Sequence, residues 1–173
     1  MQYLIDSIRN VPDFPKEGIQ FKDITTLCKD PKAFKKSIDL FVERYKDKDF
    51  DKILGIEARG FIFGTALAYA LGKSFIVVRK PGKLPAKCRK MTYDLEYGTD
   101  TVEIHEDAVS PGEKILIVDD LLATGGTVGA VVKLVQEMGG VVAECAFLIE
   151  LDDLKAREKL SGVDVFSLIH FDI

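Results

Sequence analysis

The feature that most constrains this chain is the stretch from Ile115 to Thr127. Ile115, Leu116, Ile117 and Val118 form a continuous apolar run, the signature of a strand buried on both faces. Two adjacent carboxylates, Asp119 and Asp120, follow at the carboxyl end of that strand. Ala123, Thr124, Gly125, Gly126 and Thr127 make a loop of small residues, and Gly126 to Met138 reads as a helix. Open α/β sheets bind ligands at such strand-to-helix junctions. Free backbone amides and the helix dipole favour a phosphate there, and Gly125 and Gly126 let the backbone approach closely. Two carboxylates would repel the phosphate itself, but they suit the vicinal hydroxyls of a ribose whose 5-phosphate sits in the loop. The segment is therefore expected to be a ribose-phosphate site.

The rest of the chain alternates strands and helices. Met1 to Arg9 is expected to be a short helix, with Pro12 and Pro15 forcing an irregular segment through Gly18. Pro31 suits the first turn of a helix reaching Tyr45, because Phe34, Ile38, Phe41, Val42 and Tyr45 recur at helical spacing. Ile53 to Ile56 reads as a strand, Phe61 to Leu71 as a helix rich in small residues, and Phe75 to Arg79 as a strand. Weaker strands are expected at Thr92 to Tyr97 and Thr101 to Ile104. Ser110, Pro111 and Gly112 mark a turn into the Lys114 to Asp119 strand. Val141 to Ile149, Leu154 to Leu160 and Val163 to Ile169 add strand, helix and strand. The pattern predicts an α/β fold with a central, mostly parallel sheet flanked by helices. No internal repeat or linker interrupts the chain, and 173 residues fit a single domain spanning 1–173.

Composition narrows the function. A hydrophobic content of 47% with 30% charged residues is that of an ordinary globular protein. The net charge of −4 argues against a general nucleic-acid binder. The N-terminus lacks the basic and apolar regions of a signal peptide, and no apolar run is long enough for a membrane span, so a cytoplasmic location is expected. Cys28, Cys88 and Cys145 are scattered and odd in number, which predicts reduced thiols. The basic neighbours of Cys88 would lower its pKa. His105 and His170 stand alone in sequence, so no histidine metal site is expected.

Other phosphate motifs fail. Gly72, Lys73 and Ser74 copy the end of a P-loop, but Leu67 stands where its first glycine belongs. No Gly-x-Gly-x-x-Gly fingerprint occurs. Several further segments are ambiguous when taken alone. Glu57, Ala58, Arg59 and Gly60 join a strand to a helix, either as a plain turn with a solvated arginine or as an anion loop. Arg79, Lys80, Lys83, Lys87, Arg89 and Lys90 form a basic run without an acid, either a solvated loop or a polyanion contact. Glu96 reads as an ordinary strand-edge carboxylate. Phe21 offers an aromatic face for a base, with Leu151 as an apolar partner, or both simply pack in a core.

A resemblance resolves these ambiguities. The run Asp119 to Thr127 resembles the phosphoribosyl pyrophosphate (PRPP) motif of the type I phosphoribosyltransferases. Phe14-Pro15 through Phe21-Lys22-Asp23-Ile24-Thr25, Gly55 to Phe61 and Tyr93 to Gly98 resemble the adenine-specific branch of that family. With Arg79 to Pro85 and Leu148 to Leu151, the resemblance covers nearly the whole chain in the family's order. It implies the family's fold, with small hood elements near 1–30 and 80–107, and the reaction adenine + PRPP → AMP + pyrophosphate, a purine-salvage glycosyltransferase step. Asp119, Asp120, Ala123, Thr124, Gly125, Gly126 and Thr127 would then bind PRPP and AMP. Glu57, Ala58, Arg59, Arg79, Lys80 and Lys83 would serve the pyrophosphate, with Arg59 suited by its planar fork. Gln20, Phe21, Lys22 and Leu151 would face adenine, although many relatives carry Val or Ile and Arg in place of Gln20 and Lys22. Glu96 matches the hood glutamate used as the acid–base residue, so Glu96 and Arg59 are the expected catalytic pair.

The resemblance also implies Mg²⁺ held mainly through PRPP, with no dedicated protein ligand set. It implies a non-proline cis peptide between Glu57 and Gly60, and a homodimer. The dimer expectation also uses the lack of acidic partners within the basic segment after Arg79. Neither a nucleic acid nor a membrane is an expected partner. Ala123 discriminates within the family, because 6-oxopurine enzymes typically carry an acid–base aspartate there. The alternatives are a related xanthine or other purine transferase, and a PRPP-sensing regulator that keeps the fold without catalysis. Such regulators usually append a DNA-binding domain, and fold elements already fill the chain ahead of the motif.

Overall fold

The computed structural model describes residues 1–95 and 98–172. These fall into two compact units, Met1–Lys46 and Asp47–Asp172. In the first, helix α1 (Gln2–Asp6) precedes a two-stranded antiparallel hairpin, β1 (Arg9–Pro12) and β2 (Gln20–Asp23), with Val11 opposite Phe21. The expected helix through Arg9 therefore ends early, and Pro12 closes a strand instead of opening an irregular segment. Pro12 is tolerated because it stands at the end of a strand whose hairpin has no third neighbour. Helices α2 (Thr25–Lys29) and α3 (Pro31–Tyr45) follow. Asp30 caps α3, its carboxylate accepting the N–H groups of Lys32 and Ala33 at 2.9 and 3.2 Å, and Pro31 takes a first-turn position. The fully buried seam of α3 is Ala33, Ser37, Phe41 and Tyr45, flanked by partly buried Phe34, Ile38 and Val42.

The second unit is built on five parallel strands in the order β4 (Ser74–Val78), β3 (Lys52–Ile56), β7 (Lys114–Leu122), β8 (Val141–Leu151) and β9 (Val165–Phe171). Helix α4 (Gly60–Leu71) connects β3 to β4, and α5 (Gly126–Glu137) connects β7 to β8. Alternate residues divide the sheet's two faces. Leu54, Ile56, Ile115, Ile117, Cys145 and Phe147 join a core with Val128, Val131, Leu134 and Val135 of α5. On the other face Gly55 meets α4, and a Cβ on Gly64 would lie 3.6 Å from the Gly55 Cα, with Phe75 filling the space beside both glycines.

A second hairpin, β5 (Cys88–Asp94) with β6 (Thr99–His105), packs on the α5 side through Val102 and Ile104. It is tied to the end of β4 by paired backbone bonds between Arg79 and Glu103, at 3.0 and 2.8 Å. β5 starts before the expected Thr92 and so takes in part of the basic run. The helix expected over Leu154 to Leu160 is replaced by two short 3₁₀ turns, Asp152–Leu154 and Ala156–Leu160. Lys155 between them is left-handed at φ 49°, which interrupts a continuous helix. Among the described residues no helix is long and apolar enough to cross a membrane.

Candidate active site

From β3 the chain passes through α4 to its neighbour on one side, β4, and later places β7 on the other. The sheet order thus reverses between β3 and β7, and ligands of open α/β sheets bind outside the carboxyl ends of strands at such a point. Both segments singled out in the sequence leave from there, Glu57 to Gly60 after β3 and Asp119 to Thr127 at the end of β7. The peptide between Glu57 and Ala58 is cis, as the resemblance implied. Gly60 is compulsory on steric grounds, since a Cβ there would come within 2.8 Å of the Asp119 Oδ1 and 2.9 Å of the Val118 carbonyl oxygen.

The carboxylate pair lies within β7, which continues to Leu122, so the acids are fixed by the sheet ladder instead of standing just past its end. Asp120 is 5% exposed, and its Oδ2 accepts the Arg59 Nε–H at 2.5 Å. Asp119 Oδ1 accepts the N–H of Asp120 at 2.9 Å and is walled in by the close approach of Gly60. Burial, and next the charge of Asp120, push the Asp119 carboxyl well above the usual carboxylate range, with Arg59 offsetting part of the effect.

Beyond the pair, Gly125 adopts φ 78° and precedes the first turn of α5, where no side chain caps the N–H groups. This turn borders a small cavity of about 100 Å³ lined by Asp119 and by Leu121 to Val128. A residue larger than glycine at 125 would also press on the Ala156 carbonyl oxygen, 3.0 Å from its Cβ. Tyr93 of β5 crosses this turn. Its ring lies 3.6 Å from a Cβ built on Gly126, and its hydroxyl is 2.9 Å from the Thr127 Oγ1. The same ring lines a larger cavity of about 430 Å³ with Met91, Ala130, Lys133 and Lys159.

Four residues of the basic run, Arg79, Lys80, Lys83 and Lys90, find acidic partners, all from outside their own stretch. The half-buried Glu57 carboxylate accepts the Lys80 N–H at 2.8 Å, meets the Arg79 guanidinium at 3.3 and 3.4 Å, and forms an ion pair with Lys83. Lys80 pairs with Asp100 and reaches the Tyr93 hydroxyl at 3.2 Å. Lys90 faces Glu103 across the β5–β6 ladder, with 2.8 Å between charges. The acids come from β3, β6 and the loops around them, at distances in sequence that a local scan misses. Burial would raise the carboxyl of Glu57, but its bonds from Lys83, Lys80 and Arg79 outweigh that and hold it below its ordinary value.

The remaining expected residues belong to other elements. Gln20, Phe21 and Lys22 form β2 in the first unit. There Phe14 meets Phe21 edge-on at 5.2 Å, and Asn10 bonds both Gln20 and Lys22 at 2.7 and 3.0 Å. Leu151 ends β8 and is 8% exposed. Glu96 lies outside the described residues, as does Tyr97. Cys28, Cys88 and Cys145 are free thiols. Cys88 is raised by burial and then by Glu103, not lowered by its basic neighbours, and burial pushes Cys145 up to about 12. His170, isolated in sequence, bonds Asp152 at 2.8 Å and lies 3.9 Å from Glu150. Arg157 already holds both oxygens of Glu150, at 2.8 and 2.7 Å, so the trio reads as a charge network. Tyr93, Asp100 and Glu103 had no assigned role in the sequence. For Tyr93 and Asp100 the alternation of β5 and β6 offered the signal, since they share a face with Met91, Val102 and Ile104, whereas Glu103 lies on the other face opposite Lys90.

Comparison with known proteins agrees with this geometry. The family model of the phosphoribosyl transferase domain matches residues 23–172. Adenine phosphoribosyltransferase of Acidobacterium capsulatum is 62% identical over 164 residues, covering 95% of this chain and 91% of its own. The crystal structure of adenine phosphoribosyltransferase from Thermoanaerobacter pseudethanolicus superposes with a TM-score of 0.96 at 54% identity, over 98% of this chain and 99% of that one. The Saccharomyces cerevisiae enzyme, crystallised with adenine and an imino-altritol bisphosphate, gives 0.91 at 44% identity, over 96% and 97%. This chain belongs to the phosphoribosyl transferase family and, within it, to the adenine phosphoribosyltransferases.

Proposed function

We propose that the segment from Asp119 to Thr127 holds the ribose 5-phosphate of PRPP and AMP, and that the transfer to adenine takes place beside it. The chain is a pentosyl transferase of purine salvage, converting adenine and PRPP to AMP and pyrophosphate. What carries the placement is one observation. The carboxylate pair, the uncapped glycine turn of α5 and the Glu57 to Gly60 loop all meet where the strand order reverses.

In this reading the first-turn amides of α5 and the hydroxyls of Thr124 and Thr127 bind the 5-phosphate, with Ala123, Gly125 and Gly126 leaving room for it. Asp119 and Asp120 take the ribose hydroxyls, and the charge of Asp120 favours the oxocarbenium character that develops at C1. Arg59, Arg79, Lys80 and Lys83 meet the pyrophosphate as the C1–O bond breaks, while a ring nitrogen of adenine forms the new bond to C1. Glu57 and Ala58 act on pyrophosphate through the cations and backbone they hold. Glu96 manages the purine proton, and Gln20, Phe21, Lys22 and Leu151 are the side chains proposed for the base. The whole of 1–173 works as one catalytic domain, with hood elements near 1–30 and 80–107.

Mg²⁺ would suit this donor set as a hydrated ion held by oxygens of PRPP, since Asp120 is already bound to Arg59 and burial holds the Asp119 carboxyl above the ordinary carboxylate range. When bound it would supply positive charge to the departing pyrophosphate. A homodimer is supported by α4, whose twelve residues include no charged side chain while Ile62 and Tyr69 stand 37% and 92% exposed. Free thiols at all three cysteines agree with a reducing, cytoplasmic setting. The test is a panel of adenine, hypoxanthine, guanine and xanthine with PRPP, with and without Mg²⁺. AMP should form from adenine alone and only with the metal, whereas comparable turnover of xanthine would favour the runner-up transferase.

A further inference from the structure

Thr127 presents a difficulty that the phosphate reading leaves open. A threonine hydroxyl has one proton, and to serve a phosphate it must donate that proton to it. Left alone, a side chain at the start of a helix can turn instead to backbone or water. In this structure the Thr127 Oγ1 is held at 2.9 Å by the Tyr93 hydroxyl. That hydroxyl is in turn 3.2 Å from both the Lys80 ammonium and the Asp100 carboxylate, which pair with each other. The Tyr93 ring rests on the first turn of α5 at Gly126, and the Lys80 Nζ lies 5.7 Å from its centroid. Asp100 stands opposite Tyr93 in the β5–β6 ladder, so the acceptor is fixed by strand pairing.

We propose that Tyr93 is a positioning residue for the ribose-phosphate loop, its hydroxyl fixing that of Thr127 from the Lys80–Asp100 pair. The inference rests on the assignment of the 5-phosphate to the Asp119–Thr127 loop. Proton directions follow from the count of donors. Lys80 has three and no acceptor, so it can satisfy Tyr93 and Asp100 together. Without ligand the Tyr93 hydroxyl accepts from Lys80 and donates to Asp100. When a phosphate draws the Thr127 proton, Tyr93 can turn its own to the Thr127 Oγ1 while Lys80 keeps Asp100 paired. Without Tyr93 that orientation is one of several. The 5-phosphate keeps the same contacts before and after C1 changes partner. An interaction that orients its donor therefore acts equally on substrate and transition state, and its loss appears in KM for PRPP and not in kcat.

The experiment compares wild type, Tyr93→Phe, Thr127→Val and the double variant in steady-state kinetics, with thermal melting to confirm folding. Tyr93→Phe should raise KM for PRPP by about 3- to 30-fold, the scale of one hydrogen bond backed by a charge. Its kcat and its KM for adenine should stay within about 2-fold of wild type. Thr127→Val should raise KM for PRPP as well, and adding Tyr93→Phe to it should change little further, because the hydroxyl through which Tyr93 acts is gone. An unchanged KM in Tyr93→Phe, a fall confined to kcat, or effects that multiply in the double variant would each overturn the role of Tyr93 while leaving the phosphate site in place. No rise in KM for Thr127→Val would instead remove the phosphate assignment itself, and the proposal with it.

Discussion

Replacing Gly60 with alanine tests how closely α4 must approach β7. The added Cβ would lie 2.8 Å from the Asp119 Oδ1, 2.9 Å from the Val118 carbonyl oxygen and 3.2 Å from the Asp119 Cα. Two of these three atoms belong to the backbone of β7, which is bonded to β3 on one side and β8 on the other, so the strand cannot yield alone. Overpacking of this kind costs about 1–3 kcal/mol. Alanine in place of glycine recovers less than about 1 kcal/mol of helix propensity, because Gly60 is the first residue of α4. The net loss of about 1–2 kcal/mol corresponds to a fall in Tm of roughly 2–8 °C for a chain of this size. The displaced carboxylate is also proposed to hold the ribose, so KM for PRPP should rise in the same variant. Gly129→Ala is the matched control. Its Cβ would meet only the Leu160 Cδ2, at 3.9 Å, within α5, and should raise Tm by about 1–4 °C. Differential scanning calorimetry on both variants decides the matter. A Gly60→Ala protein as stable as wild type would refute the steric reasoning.

Asp119→Asn should raise Tm, and raise it more at pH 8 than at pH 4. The raised carboxyl makes the native state hold its proton longer than the unfolded chain does, so wild-type stability falls as pH rises from the unfolded value toward the folded one. Equal gains at both pH values would count against it. Glu57→Gln should cost about 1–3 kcal/mol at neutral pH and flatten acid denaturation, read from urea midpoints against pH. Its depressed carboxyl stabilises the fold above the unfolded value, and that contribution is lost as pH falls through the folded one. Glu96→Gln should slow single-turnover AMP formation by about 10²–10⁴-fold at saturating substrates with PRPP affinity unchanged, and a wild-type rate would return Glu96 to an ordinary hood residue. Tyr69→Glu should convert the proposed dimer to monomer in light scattering, since it sets a charge on the apolar exposed face of α4.

The parts of the fold legible in sequence were those written in one short window. The buried run of β7, the periodicity of α3 and the glycine turn before α5 each carry their own signal, and their boundaries moved by only a few residues. The first hairpin was hidden because Pro12 argues against a strand, and only its place at the end of an edge makes it acceptable. The 3₁₀ turns after β8 kept an apolar spacing close to that of an α-helix, with Ala156 and Leu160 buried, while left-handed Lys155 broke the regularity. At the site, residue types were legible and partners were not. That Arg59 stands at a strand-to-helix turn was readable, but that its Nε would be bound to Asp120 depends on the switch between β3 and β7, which no local pattern records.

The charges show why that distinction matters. A net charge of −4 suggests a poor host for a polyanion such as pyrophosphate, and the basic run looks unpaired along the chain. In space the four cations proposed for the pyrophosphate are each held by a carboxylate, Arg59 by Asp120, Arg79 and Lys83 by Glu57, and Lys80 by Asp100. A long lysine or arginine loses rotamer freedom when it binds, about 1.5–2 kcal/mol for each side chain fully ordered. Acids fixed in β7, β6 and the end of β3 impose that order before the ligand arrives. Electrostatic stabilisation of a leaving group works through donors already aimed at it, because then little reorganisation is left for the reaction step. In the proposed reading the acids beside the site therefore do not weaken its claim to pyrophosphate; they hold the proposed cations in register for it.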